Sequence, residues 1–156
     1  MRVREAVSED IPDLMRLNAE VQALHIELFP ERFKETDRTA LREWFSALLA
    51  EEDTRCLVAT SDSDVIGYVT ARFVTRPGHV FRNPERYVYV DQICVAKTTR
   101  RKGVAKGLFA AVRDLARKAG LTRIALDVWS ANTNAKKAFA ALGFETYNEK
   151  MELTLD

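Results

Sequence analysis

Arg86-Tyr87-Val88-Tyr89-Val90-Asp91-Gln92-Ile93-Cys94-Val95, followed closely by Arg100-Arg101-Lys102-Gly103-Val104-Ala105-Lys106-Gly107, is the stretch that decides the fold. The first run is rich in β-branched and aromatic residues and reads as a strand. The second opens a helix from Val104 to Ala119, with Leu108, Phe109, Val112, Leu115 and Ala116 at helical spacing and Gly120 as its stop. Strand, basic glycine-containing turn and helix together make an anion site. The first turn of a helix has unpaired N–H groups at the positive end of its dipole. Gly103 and Ala105 keep bulk away from that backbone, while Arg100, Arg101, Lys102 and Lys106 add positive charge. Basic side chains at a helix N-terminus oppose the dipole, so a bound anion such as a diphosphate explains them better than a merely solvated face.

Working outward, Arg123 to Trp129 reads as another strand, and strand–helix–strand implies a parallel pair. Residues 132–142 read as a short helix ended by Gly143, and two last strands are expected over Phe144–Tyr147 and Lys150–Leu155. Upstream, Cys56 to Thr60 and Val65 to Val74 flank the polar turn Ser61-Asp62-Ser63-Asp64 as a β-hairpin, and Thr75 to Glu85 is a loop. Met1 to Val7 reads as a first strand and Ser8 as the cap of a helix carrying Ile11, Leu14, Leu17, Val21 and Leu24. Pro30 ends that region, 31–37 is a loop, and Asp37 opens a second helix with Leu41, Trp44, Phe45, Leu48 and Leu49 on its apolar face. The order is βααβββαβαββ, a mixed α/β sheet covered by helices.

Composition narrows the class. The chain has 156 residues, 47% hydrophobic and 30% charged, which predicts one globular domain over 1–156 with a substantial core. Its 24 basic and 23 acidic residues leave a net charge of +1, against broad binding to nucleic acid or an anionic membrane. The local basic cluster asks for a small anionic ligand instead. Cys56 and Cys94 sit in apolar strand-like runs and read as reduced core residues, which with no signal-like N-terminus points to the cytoplasm. His25 and His79 lie far apart with no cysteine pair near them, so no metal site is expected.

The phosphate-binding patterns G-x-x-x-x-G-K-S/T and G-x-G-x-x-G are absent. Arg100, Gly103 and Ala105 instead fit Q/R-x-x-G-x-G/A, and downstream Asn132, Ala135, Gly143 and Phe144 fit N-x-x-A-x-x-aliphatic-Y-x-x-x-G-F. Two ordered motifs, one helix and one strand apart, resemble the GNAT superfamily of N-acetyltransferases over nearly the whole chain. The resemblance implies the GNAT fold with its fourth and fifth strands splayed apart and acetyl-CoA as co-substrate. It places the pantetheine arm against the backbone of Ile93, Cys94 and Val95. The pyrophosphate falls on the amides of Arg101, Lys102, Gly103, Val104, Ala105 and Lys106, and the Asn132 side chain faces the cofactor. The acceptor it implies is a primary amine on a small molecule or peptide.

Acetyl transfer to an amine needs a neutral amine, a polarised thioester carbonyl and a leaving thiolate. A backbone N–H near Val95 can serve the developing oxyanion. An alkyl ammonium needs a base, and Asp91 is the candidate; regular alternation puts it on the face of Tyr89, Ile93 and Val95, opposite Cys94. Its other reading is an ion pair with Arg86 or Arg72, just as Asn132 can simply cap its helix. Phe139 stands where the family usually has a tyrosine thought to protonate the thiolate, and phenylalanine cannot donate; Tyr147 is the substitute candidate. No nucleophile is suitably placed, so direct transfer in a ternary complex is expected. The rival is a non-catalytic acyl-CoA-binding or sensory domain. Lys150 to Leu155, as an edge strand, can pair with a second copy, so a homodimer is a further expectation.

Overall fold

The computed structural model describes residues 1–155. In chain order the elements are β1 (Arg2–Glu5), α1 (Ile11–Leu28), α2 (Arg38–Ala50), β2 (Thr54–Ser61), β3 (Asp64–Arg76), β4 (Glu85–Val95), α3 (Val104–Lys118), β5 (Ile124–Leu126) and α4 (Thr133–Ala141). The strands form one sheet in the order β1-β2-β3-β4-β5, antiparallel except for the parallel pair β4–β5. The parallel pair follows from the α3 crossover and the long antiparallel ladders from the hairpin turns, as the element order predicts.

Helices cover both faces. Leu14, Leu17, Phe45 and Leu48 of α1 and α2 pack on Cys56, Val58, Tyr68 and Cys94. Val104, Leu108, Phe109 and Val112 of α3 pack on Leu57, Val69, Val88 and Val90 from the other side. Gly67 of β3 makes that second contact close: a Cβ there would lie 2.8 Å from the Cys94 carbonyl and 3.1 Å from Val104 Cγ1. The N-terminus of α3 is thereby held tight against the sheet.

Three expectations need correction. Ser8 does not cap α1; a short 3-10 turn precedes it, and the Asp10 carboxylate takes the Val7 N–H at 2.8 Å and a bidentate pair from Arg4 at 2.6 and 2.8 Å. β5 is three residues long rather than reaching Trp129. The expected strands Phe144–Tyr147 and Lys150–Leu155 do not form: among the described residues nothing after α4 joins the sheet. Their alternation is real, but a strand needs a partner edge as well as a pattern.

Candidate active site

The strand β4 is bulged. Thr70 pairs with Gln92 and Ala71 with Val90, so Asp91 is an extra residue facing none on β3. A bulge shifts alternation by one. Ahead of it Val88 and Val90 face α3; past it Ile93 and Val95 do, while Cys94 faces α1. Tyr89 and Asp91 lie on the α1 side, beside Arg72, whose guanidinium sits 5.6 Å from the Tyr89 ring centroid and 2.7 Å from Asp91 Oδ1. Asp91 therefore does not share a face with Ile93 and Val95, as uniform alternation predicts, and Cys94 is on its side rather than opposite.

Buried polar groups hold the bulge. The Gln92 N–H donates to Thr70 Oγ1 at 3.0 Å rather than to a carbonyl. The Gln92 side-chain oxygen accepts from Tyr68 Oη at 2.8 Å and Asn18 Nδ2 at 3.2 Å. Thr70 and Tyr68 are fully buried and Asn18 nearly so. Sequence reasoning missed this network, because its members come from α1, β3 and β4 and no local pattern links them.

The bulge also directs the backbone. Gln92 and Ala96 donate their N–H groups toward β3. By alternation, those of Ile93 and Val95 point the other way. There β4 has no neighbour: its pairing with β5 ends at Val90–Leu126. Ile93 to Val95 thus offers an unpaired edge that an amide-containing chain can satisfy. The Arg100 side chain closes its far end, with Nε 3.3 Å from the Val95 carbonyl.

The loop ahead of α3 has the backbone an anion needs. Arg101 and Gly103 are both left-handed, at φ 62° and 82°, which turns the chain sharply into the helix. A Cβ built on Gly103 meets nothing within 4 Å, so the space before the helix is open. Val104 is buried and anchors the first turn, Ala105 is half-buried, and Arg101, Lys102 and Lys106 are exposed with no carboxylate partner among the described residues. A diphosphate fits this set: free amides, a positive helix end and unneutralised cations.

Asn132 caps α4, its Oδ1 accepting from the Ala135 N–H at 3.1 Å, so the capping reading is observed; the side-chain amide nitrogen is not used by the cap. Phe139 is half-buried in a trio with Phe109 and Phe144, at 6.0 and 5.9 Å between ring centroids. Tyr147 lies beyond that trio, 75% exposed. Tyr89, which sequence reasoning did not single out as a proton donor, lies one residue before the strands part. Burial first, then the Asp127 and Asp91 carboxylates, push its phenol up to about 12, so it stays protonated. Burial likewise pushes the Cys94 thiol up to about 12, and its Sγ–H donates to the Leu17 carbonyl at 3.0 Å; it is no thiolate nucleophile despite sharing Asp91's face.

An aromatic wall joins the C-terminal end of α1 to the segment after β5. Trp129 packs on Phe29 at 4.8 Å and on Phe33 at 5.3 Å, and His25 stacks on Phe33 at 4.8 Å. Burial in that stack lowers the His25 pKa, so the ring is neutral at pH 7 and serves as a packing group.

Comparison with known proteins agrees with this fold. The model of the acetyltransferase (GNAT) family matches residues 18–144. No curated protein sequence matches the chain. Among solved structures, a tetramutant of the BH1408 protein from Bacillus halodurans is 26% identical, with a TM-score of 0.95 over 99% of this chain and 100% of that one. An aminoglycoside antibiotic 6'-N-acetyltransferase from Acinetobacter haemolyticus is 20% identical, with a TM-score of 0.78 over 100% and 99%. A protein of Clostridium difficile 630 described as a possible acetyltransferase is 24% identical, with a TM-score of 0.75 over 99% and 97%. The last two likenesses speak to the fold alone. The family match runs from Asn18 of the bulge network through the anion loop to Phe144 at the end of the second motif, and on that extent the chain belongs to the acetyltransferase (GNAT) family.

Proposed function

We propose that this protein moves an acetyl group from acetyl-CoA to a primary amine, both substrates being bound before direct transfer. The observation that carries the reading is the open, cationic loop Arg100–Gly103, left-handed at Arg101 and Gly103, which leads into the first turn of α3 and follows the unpaired edge Ile93–Val95. Members of the family use acetyl-CoA, which when bound supplies the activated thioester. The amides of residues 101–106 hold the diphosphate, and the Ile93 and Val95 N–H groups hold the amide-bearing arm. Asn132 contributes its side-chain amide nitrogen and Phe139 an apolar surface.

The amine enters from the α1 side, where Asp91 and Tyr89 lie beside Arg72. Asp91 accepts its proton. Arg72 holds that carboxylate in place, Nη2 to Oδ1 at 2.7 Å. The new bond runs from amine nitrogen to carbonyl carbon, the carbon–sulfur bond breaks, and the sulfur takes a proton from a tyrosine or water. Tyr147 is one donor; Tyr89, closer to where the strands separate, is the other. The two buried free thiols, Cys56 and Cys94, support a reducing compartment such as the cytoplasm. No helix of the described chain is long and apolar enough to cross a membrane.

A second reading, an acyl-CoA-binding domain without turnover, is favoured by one observation: Phe139 replaces the proton donor of the second motif. Acetyl-CoA offered with a panel of small amines, aminoglycosides, polyamines, amino acids and peptides separates the two. Release of free CoA thiol dependent on one acceptor class supports transfer. Saturable binding with no acceptor turned over supports the sensor.

A further inference from the structure

Helix α1 is fastened to the end of β4 and to the chain that leaves it. The Leu17 carbonyl accepts the Cys94 Sγ–H at 3.0 Å, and Arg16 donates to the Val65 carbonyl at 2.9 Å. One turn further along, Glu20 reaches past the strand: its Oε2 accepts the Lys97 backbone N–H at 2.9 Å. Lys97 opens the 3-10 turn Lys97–Thr99, which has no side-chain cap of its own. Glu20 thus supplies, from another element, the acceptor that a capping residue would supply locally. It enters no ion pair among the described residues, so the Lys97 amide is what this half-buried carboxylate holds.

That turn sets where the anion loop begins. A second tether comes from β3, whose Ile66 carbonyl accepts the Ala96 N–H at 2.9 Å and the Thr99 hydroxyl at 3.4 Å. Directly after the turn, Arg100 Nε lies 3.3 Å from the Val95 carbonyl, and Arg101 and Gly103 adopt left-handed backbone. Without Glu20 the turn keeps only its bonds to β3 and to itself. The loop ahead of α3 must then be ordered at the moment an anion binds, and ordering on binding lowers affinity. The negative charge of Glu20 works against a diphosphate. Its contribution is therefore the acceptor oxygen and not the charge.

We propose that Glu20 is a positioning residue for acetyl-CoA. It acts through the Lys97 amide and holds the anion loop in its binding conformation before the co-substrate arrives. The identity of the ligand rests on the transfer reading; the tether itself does not.

Calorimetry with acetyl-CoA, amide hydrogen exchange without it and steady-state kinetics test this on wild type, Glu20→Ala and Glu20→Gln. Glu20→Ala binds acetyl-CoA at least fivefold more weakly and raises its KM by a similar factor, while the KM of the amine stays put. In the ligand-free variant the Lys97 amide exchanges faster. Glu20→Gln keeps an acceptor oxygen at the same reach, so it stays within twofold of wild type in affinity and restores protection at Lys97. Wild-type affinity in Glu20→Ala overturns the proposal, and so does a Glu20→Gln variant as weak as Glu20→Ala. Equal rises in both KM values overturn it too, since they mean a general loss of structure. No binding of acetyl-CoA to wild type overturns the transfer reading and this proposal with it, whereas binding indifferent to Glu20 overturns this proposal alone.

Discussion

Replacing Thr70 by valine tests whether the bulge is held by a side-chain hydroxyl. Thr70 is fully buried, and its Oγ1 is the acceptor for the Gln92 N–H at 3.0 Å. Valine keeps the shape of the side chain and removes the acceptor. A buried donor left unsatisfied costs about 1–3 kcal/mol, the full desolvation penalty rather than the smaller net worth of an average hydrogen bond. For a chain of this size each kcal/mol lowers Tm by about 2–4 °C, so a loss of several degrees is expected. Urea denaturation gives the free energy directly. Hydrogen exchange at the Gln92 amide gives its location, with each 1.4 kcal/mol speeding exchange about tenfold if the loss is local. Thr70→Ser is the control: it keeps the oxygen, and the lost methyl costs about 1 kcal/mol by burial alone. If Thr70→Val is as stable as wild type and Gln92 exchanges no faster, the hydroxyl does not hold the bulge, and the placement of Asp91 needs another cause.

Asp91→Asn lowers kcat/KM for the amine by roughly 10²–10⁴-fold at neutral pH, the range for a lost general base, with activity recovering as rising pH supplies the free amine; a pH–rate profile unchanged from wild type counts against the base role. Phe139→Tyr turns over as fast as wild type or faster, since a hydroxyl is added at the rim of a half-buried aromatic trio; a steep fall in kcat measured by thiol release means that position is closed to a polar group. The Arg4 guanidinium, chiefly by its hydrogen bond, holds the Asp10 carboxyl below the usual carboxylate range. A depressed folded value stabilises the protein above the ordinary value of about 3.9, and the contribution disappears as pH falls through the folded value. Urea midpoints measured from pH 7 downward therefore drop more steeply for wild type than for Asp10→Asn, which at pH 7 is destabilised by about 1.5–3 kcal/mol, as befits hydrogen bonds to a charged group; parallel pH curves contradict it.

The parts of the fold that are local in origin were legible in the residues. Asp37 caps α2, accepting from Ala40 at 2.8 Å, where a helix start was expected. Ser61–Asp64 turns between β2 and β3 with Asp62 and Ser63 at positive φ, as a tight polar hairpin demands. Gly103 and the basic run marked the head of α3 because glycine and charge are readable one residue at a time. The faces of β4 were not legible past Asp91. A bulge is set by the register with Thr70 and Gln92, a tertiary fact that alternation along one strand cannot carry. The C-terminal alternation was legible as well, but pairing depends on an edge supplied from elsewhere. The aromatic wall joins His25, Phe29 and Phe33 to Trp129 across more than 90 residues of chain, so only the folded geometry reveals it.

Calorimetry with acetyl-CoA on wild type and Gly103→Glu tests most directly whether the loop at the head of α3 holds the diphosphate. Gly103 is exposed with open space around it, so glutamate there leaves the core untouched. Its cost to folding is the left-handed φ of 82°, about 1–2 kcal/mol for a residue with a Cβ. Saturable binding to wild type, weakened at least tenfold in a Gly103→Glu variant that still folds, is the predicted result. No heat from wild type, or equal affinity in both proteins, contradicts it.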